Sequence, residues 1–98
     1  MYQYEIYVPS EFKFEVQYVI DTFAIFYGGA TSYEAEGVWR DDDGLPHRET
    51  VTIVRSISAT EQDLPARNMA KYIENSCNQK AVLWTKTTIQ ATFETFEE

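Results

Sequence analysis

The chain has 98 residues, 44% of them apolar and 15% aromatic, and its sixteen acidic against eight basic side chains leave a formal net charge of −8. That length accommodates one domain and one core, and no apolar run approaches the roughly 20 residues of a membrane-spanning helix. The charge disfavours direct nucleic-acid binding and adsorption to anionic membranes, because both depend on clustered Lys and Arg displacing counterions.

Taken in chain order, residues 2–8 alternate. Tyr2, Tyr4, Ile6 and Val8 share one face and Gln3, Glu5 and Tyr7 the other, the period-two pattern of a strand. Pro9-Ser10 ends it, and Ser10 is placed to cap the following helix. From Phe12, the apolar set Phe12, Val16, Val19, Ile20, Phe23 and Tyr27 repeats every 3.6 residues. Phe14, Tyr18 and Phe26 widen that face beyond one stripe, as if something packs over it. Gly28-Gly29 supplies a left-handed C-terminal cap. A second strand is expected from about Ala30 to Trp39, with Thr31, Tyr33, Ala35, Gly37 and Trp39 alternating against Ser32, Glu34, Glu36 and Val38.

Arg40-Asp41-Asp42-Asp43-Gly44 turns the chain into a third strand, Glu49 to Ile57. There Val51, Ile53, Arg55 and Ile57 lie opposite Thr50, Thr52, Val54 and Ser56. Thr60 or Asp63 caps a second helix, with Pro65 in its first turn, where a missing N–H costs little. Its buried stripe is Ala66, Met69, Ala70, Ile73 and Cys77, and Asn75–Gln79 ends it. A last strand is expected from Ala81 to about Phe93, followed by a frayed tail, Glu94 to Glu98.

Strand, helix, strand, strand, helix, strand is the ferredoxin-like split βαβ pattern. The expected fold is α+β: a four-stranded antiparallel sheet in the order 4-1-3-2 with both helices on one face, spanning 1–98 as one domain. On this reading the helices cover Tyr4, Ile6, Val51, Ile53 and Leu83. The open face then carries an apolar half, Tyr7, Val38, Thr52, Val54, Val82 and Trp84, expected to be an interaction surface. An acidic half holds Glu5, Glu34 and Glu36. A pocket between helices and sheet would be lined by Tyr4, Tyr33, Trp39 and Arg55.

Motifs for chemistry are sparse. Asp41-Asp42-Asp43-Gly44 lacks calcium-loop spacing, since Gly44 as the loop glycine puts Trp39 and Thr50 at the end positions; it reads as a hairpin turn. His47 is the single histidine and falls just past that turn. Cys77 is the single cysteine, which excludes an internal disulfide, and it sits on a buried stripe as a small hydrophobe. A Cys77–His47 pair at one end of the fold is the weakest of the candidates. Arg55 is the oddity on an apolar strand face. Either it snorkels from the strand end or it pairs with a carboxylate such as Glu49 or a bound anion. No metal and no cofactor are expected. Met1–Glu5 has no basic, then apolar, signal pattern, so a reducing cytoplasm is the expected location.

Gly28-Gly29-Ala30-Thr31, Ala35 through Trp39, Asp43-Gly44, Arg48-Glu49 and Asn78 through Leu83 together resemble a family of small bacterial proteins of unknown function. The resemblance covers about half the chain. It implies the same ferredoxin-like fold and carries no activity and no site residues.

Two function classes follow. The first is a binding protein that uses the open sheet face for self-association or for a partner protein. Its acidity suits a basic partner, such as a nucleic-acid-processing protein that it would inhibit, or serves solubility alone. A chain this short gains stability from self-association. The second is a small cofactor-free enzyme, or a small-molecule sensor, built on the pocket of Tyr4, Tyr33, Trp39 and Arg55.

Overall fold

The computed structural model describes residues 1–96; the end of the expected tail, Glu97-Glu98, lies outside the described residues. Six elements follow the expected order: β1 (Tyr2–Pro9), α1 (Lys13–Tyr27), β2 (Thr31–Arg40), β3 (Pro46–Ser58), α2 (Asp63–Ser76) and β4 (Trp84–Thr88). The strands form one antiparallel sheet in the order β2-β3-β1-β4, the expected 4-1-3-2 read from the other edge. The fold is ferredoxin-like α+β, as the alternation of elements predicts.

Hydrophobic period decides the helices. Val19, Phe23 and Tyr27 of α1 and Ala66, Met69 and Ile73 of α2 are buried against Tyr4, Ile6, Val8 and Val54 of the sheet. Gly28 ends α1 at φ 91°, and its N–H donates to the Ala24 carbonyl, so the left-handed cap forms as expected.

The helix starts differ from expectation. Ser10 does not cap α1: its hydroxyl is buried and shares a 2.7 Å hydrogen bond with Thr52 Oγ1. Neither Thr60 nor Asp63 caps α2. Asp63 is its first residue, and two N–H groups at this end are met by tyrosines from elsewhere. Tyr4 Oη accepts from Gln62 N at 2.7 Å and donates to Asp63 Oδ1 at 2.9 Å, and Tyr27 Oη accepts from Ala66 N at 3.2 Å.

Strand lengths differ as well, for one reason: a strand extends only as far as its neighbour offers partners. β4 stops at Thr88 because that last rung, with Tyr2, meets the start of β1. β3 begins at Pro46, not Glu49, because β2 supplies partners as far as Arg40. Since β1 ends opposite Val51, the rungs Glu36–Thr50 to Arg40–Pro46 project past the sheet as a two-stranded arm. That arm contributes to a longest dimension of 58 Å against 23 and 22 Å for the others.

The main correction concerns strand phase. Pairing Ile6 with Val54 and Trp84, and Ser32 with Val54, puts the even-numbered residues of all four strands on the helix side. β1 has the expected phase, and β2, β3 and β4 have the opposite of the expected one. Val51 and Ile53 therefore lie on the open face, and Thr52 and Val54 beneath the helices.

Candidate functional site: the open face of the sheet

The open face is built in rungs. One rung holds Thr85, Glu5, Arg55 and Thr31; the next holds Tyr7, Ile53 and Tyr33, with the Leu83 carbonyl accepting from Tyr7 N at 3.1 Å; then come Pro9, Val51 and Ala35. Gly37 pairs with Glu49 and Trp39 with His47 along the arm. The result is an apolar band, Leu83–Tyr7–Ile53–Val51–Ala35, separated from Trp39 by the Gly37–Glu49 rung.

A single polar cluster borders the band. Arg55 Nε donates to Glu5 Oε2 at 3.2 Å, Arg55 Nη2 donates to the Tyr33 hydroxyl at 3.1 Å, and that hydroxyl donates to the same Glu5 oxygen at 3.3 Å. Glu5 is on β1 and Tyr33 on β2, with β3 between them, so the tyrosine lies across β3. The Arg55 guanidinium stacks 5.3 Å from its ring centre. A ring lying across β3 explains how Ile53, on a face without helices, is only 6% exposed. Arg55 and Glu5 form an ion pair, and the hydrogen bonds to Tyr33 and Glu5 hold the Arg55 pKa up. Burial, with Glu5 nearby, raises the Tyr7 hydroxyl pKa. The oddity of Arg55 resolves as pairing with a carboxylate, Glu5 rather than Glu49.

Of the six residues expected on the interaction face, only Tyr7 lies there. Thr52 and Val54 are buried under the helices; Val82 and Trp84 pack against the core, with Trp84 stacked 6.5 Å from Tyr4. Val38 is exposed on the helix-side face of the arm. No acidic half forms from Glu5, Glu34 and Glu36. Glu5 is alone of the three on the open face, while Glu34 is 3.9 Å from Lys13 and Glu36 bonds Arg48 on the other side. The expected pocket is divided too. Tyr4 is fully buried in the core; Tyr33 and Arg55 meet on the open face; Trp39 stands further out, stacked on His47 at 4.5 Å.

At the arm tip, Asp41 accepts from Asp43 N, Leu45 N and His47 Nε2, at 2.9, 2.9 and 2.7 Å. The bond to His47, then that to Leu45, holds its carboxyl below the usual range. This is the self-bonded turn that Asp-Gly sequences make, a five-residue loop with Gly44 at φ 78°. Among the described residues no cluster of three or more His, Cys, Asp or Glu side chains could hold a metal. Cys77 is buried in the core, where burial raises its thiol pKa, and His47 is engaged by Asp41 and Trp39 at the arm tip. The two form no pair.

A second apolar surface lies on the outside of the helices. Phe14, Tyr18, Ile25 and Phe26 of α1 and Leu64 of α2 are exposed there. The latter four help line a shallow groove of about 390 Å³. The widened face of α1 is thus real, and among the described residues it is met at its edge by Tyr72 of α2, stacked 4.7 Å from Tyr18.

No protein-family model and no curated protein matches the chain. Solved structures do. A variant of CutA1 from Pyrococcus horikoshii OT3 superposes with a TM-score of 0.66 at 9% identity, over 96% of this chain and 88% of that one. A Bacillus cereus protein related to NIF3 superposes with a TM-score of 0.60 at 21% identity, over 92% of this chain. The chain spans about a quarter (26%) of that protein's length. At these identities the likeness establishes the fold.

Proposed function

We propose that the chain is a non-enzymatic binding protein whose open sheet face is its interaction surface, covered by a second copy or by a partner protein. The observation that carries this is the band Leu83–Tyr7–Ile53–Val51–Ala35–Trp39. It crosses β1, β3 and β2 with Leu83 at one end, and of the charges on this face Glu5 and Arg55 neutralise each other, while Glu49 stands between Val51 and Trp39. Interface centres are depleted in charge and enriched in aromatic residues, with Arg the tolerated cation, and this face has that composition. Trp39 at 50% exposure and Leu83 at 58% are the anchors with most surface left to bury.

The test compares solution mass and co-purifying proteins for the natural chain and for Val51→Glu, a half-buried open-face position. Loss of a larger assembly, or of a co-purifying protein, in the variant supports the reading. Identical mass and identical companions in both refute it.

The enzyme and sensor readings depended on Tyr4, Tyr33, Trp39 and Arg55 lining one cavity. Their separation onto two faces removes that basis.

A further inference from the structure

We propose that β2 is a self-recognition strand. Two copies of the chain pair antiparallel along the outer edges of β2, about a two-fold axis at Gly37, into one continuous eight-stranded sheet. This surface is the sheet edge; it shares Trp39 with the open face but does not rest on the open-face reading.

The two sheet edges differ. β4 is short, five residues with Lys86 near its middle, as protected edges are. β2 has ten residues, every one in register with β3, with no proline and no bulge. From Glu36 onward it belongs to the two-stranded arm, and an isolated two-stranded ribbon is marginal in water. A third strand is what the arm lacks.

Sequence identifies the occupant and the register. In a two-fold antiparallel pairing, opposed residues share a face, so the axis must pass through a residue position. Registers keeping seven or more rungs of β2 centre on Glu34, Ala35, Glu36 or Gly37. The first opposes Glu34 to itself, the second opposes Glu34 to Glu36 twice, and the third opposes Glu36 to itself. Like charges directly opposite destabilise a sheet. The Gly37 register opposes no like charges and sets Glu34 against Arg40 on both sides of the axis. It also sets Trp39 against Ala35 and beside the partner's Gly37, so that two indole rings cover the glycines at the axis.

Gly37 supports this placement independently. Its φ is not in the left-handed region, and a Cβ there meets Val51 Cγ1 at an ordinary 3.5 Å. Nothing within one chain requires glycine in this strand. A close approach by another backbone or ring does.

The test is a charge swap read by sedimentation or light scattering over a concentration series. The variants are Glu34→Arg, Arg40→Glu, the double substitution, and Val51→Glu as an open-face control. The natural chain is expected as a dimer of the 11.4 kDa chain or an even multiple of it. Each single substitution turns two attractive rungs repulsive and is expected to weaken the dimer by at least about tenfold. The double substitution restores it. A natural chain that is monomeric, or an odd multiple, overturns the proposal. So do single substitutions without effect, or a double variant no tighter than the singles. If Val51→Glu dissolves the dimer and the charge swap does not alter it, the open face holds it and the edge proposal falls while the open-face reading stands; if both act, the edge stands, since Val51 underlies Gly37. If the swap behaves as expected and Val51→Glu changes neither mass nor companions, the open-face reading falls and the edge stands.

Discussion

Replacing Tyr4 with Phe isolates one atom that joins three elements. The Tyr4 side chain is fully buried on β1, stacked 4.9 Å from Tyr27 with 10° between the rings. Phe keeps that ring and that stacking, so no cavity opens. Two hydrogen bonds are lost: the one accepted from Gln62 N at 2.7 Å, and the one donated to the Asp63 carboxylate at 2.9 Å. A bond between neutral groups is worth about 1 kcal/mol net and one to a charged group about 1.5–3 kcal/mol. Water reaches part of the site, so we expect about 2 kcal/mol of lost stability in urea unfolding. For a domain of this size that is a fall in Tm of about 8–16 °C. The same substitution has a pH signature. The Tyr4 hydrogen bond, then the Lys86 ammonium, holds the Asp63 carboxyl below its ordinary value. A depressed carboxyl stabilises the fold above its unfolded value, and that contribution disappears as pH falls through the folded value. In Tyr4→Phe the Asp63 titration moves up, by NMR of the carboxyl carbon, and the acid-labile part of stability below about pH 4 shrinks. A stability change under about 0.5 kcal/mol, or an unmoved Asp63 titration, would refute the claim that this hydroxyl ties α2 to β1.

Tyr27→Phe removes the bonds to the Gln62 carbonyl and from Ala66 N, and is expected to cost about 1–2 kcal/mol. Because both tyrosines hold Gln62, a double-mutant cycle with Tyr4→Phe should show coupling, and additive costs would contradict it. Gly28→Ala should cost about 1–2 kcal/mol in unfolding experiments, purely from the left-handed backbone, since a Cβ there meets nothing. Gly29→Ala, with no such constraint and equally open space, should be neutral or stabilising by up to about 1 kcal/mol. Cys77, with its thiol pKa raised by burial and by Glu15 and Glu11, should react with a thiol reagent at least roughly a hundredfold faster in urea than when folded. Equal rates would place it at the surface.

The fold was legible because its signals are local. A period-3.6 stripe, a glycine cap and an aspartate-glycine turn each act over a few residues, and α1, α2 and the hairpin came out where those signals lay. The helix starts were not legible. Ser10 has the right chemistry for a cap, but Thr52, 42 positions away, offers its hydroxyl a buried partner. The α2 start depends on tyrosines from β1 and α1, and no pattern near Asp63 announces them.

Strand phase failed for an instructive reason, and the corrective signal was in the sequence. β3 carries apolar residues on both faces, Val51, Ile53 and Ile57 against Val54, so counting hydrophobes picks the wrong side. The polar residues decide it. Thr52, Ser56 and Ser58 are small and can bond within the fold: Ser56 donates to the Gly29 carbonyl at 2.6 Å and Ser58 to the Thr60 carbonyl at 2.7 Å. Arg55 cannot be buried under helices without a partner there. Turning Arg55 outward turns Val51 and Ile53 outward with it, since strand faces move as a unit. Lys86 looks like a counterexample, lying on the helix side beside Trp84. It sits on the short edge strand β4, where its ammonium reaches Asp63 at 3.1 Å and Glu61 at 3.4 Å. A cation on an edge can reach solvent and carboxylates around the end of a helix; a cation on an inner strand such as β3 cannot. The residue that looked anomalous was therefore the one that fixed the phase. Fixing it moves Val51 and Ile53 from the buried side of the sheet to the open one.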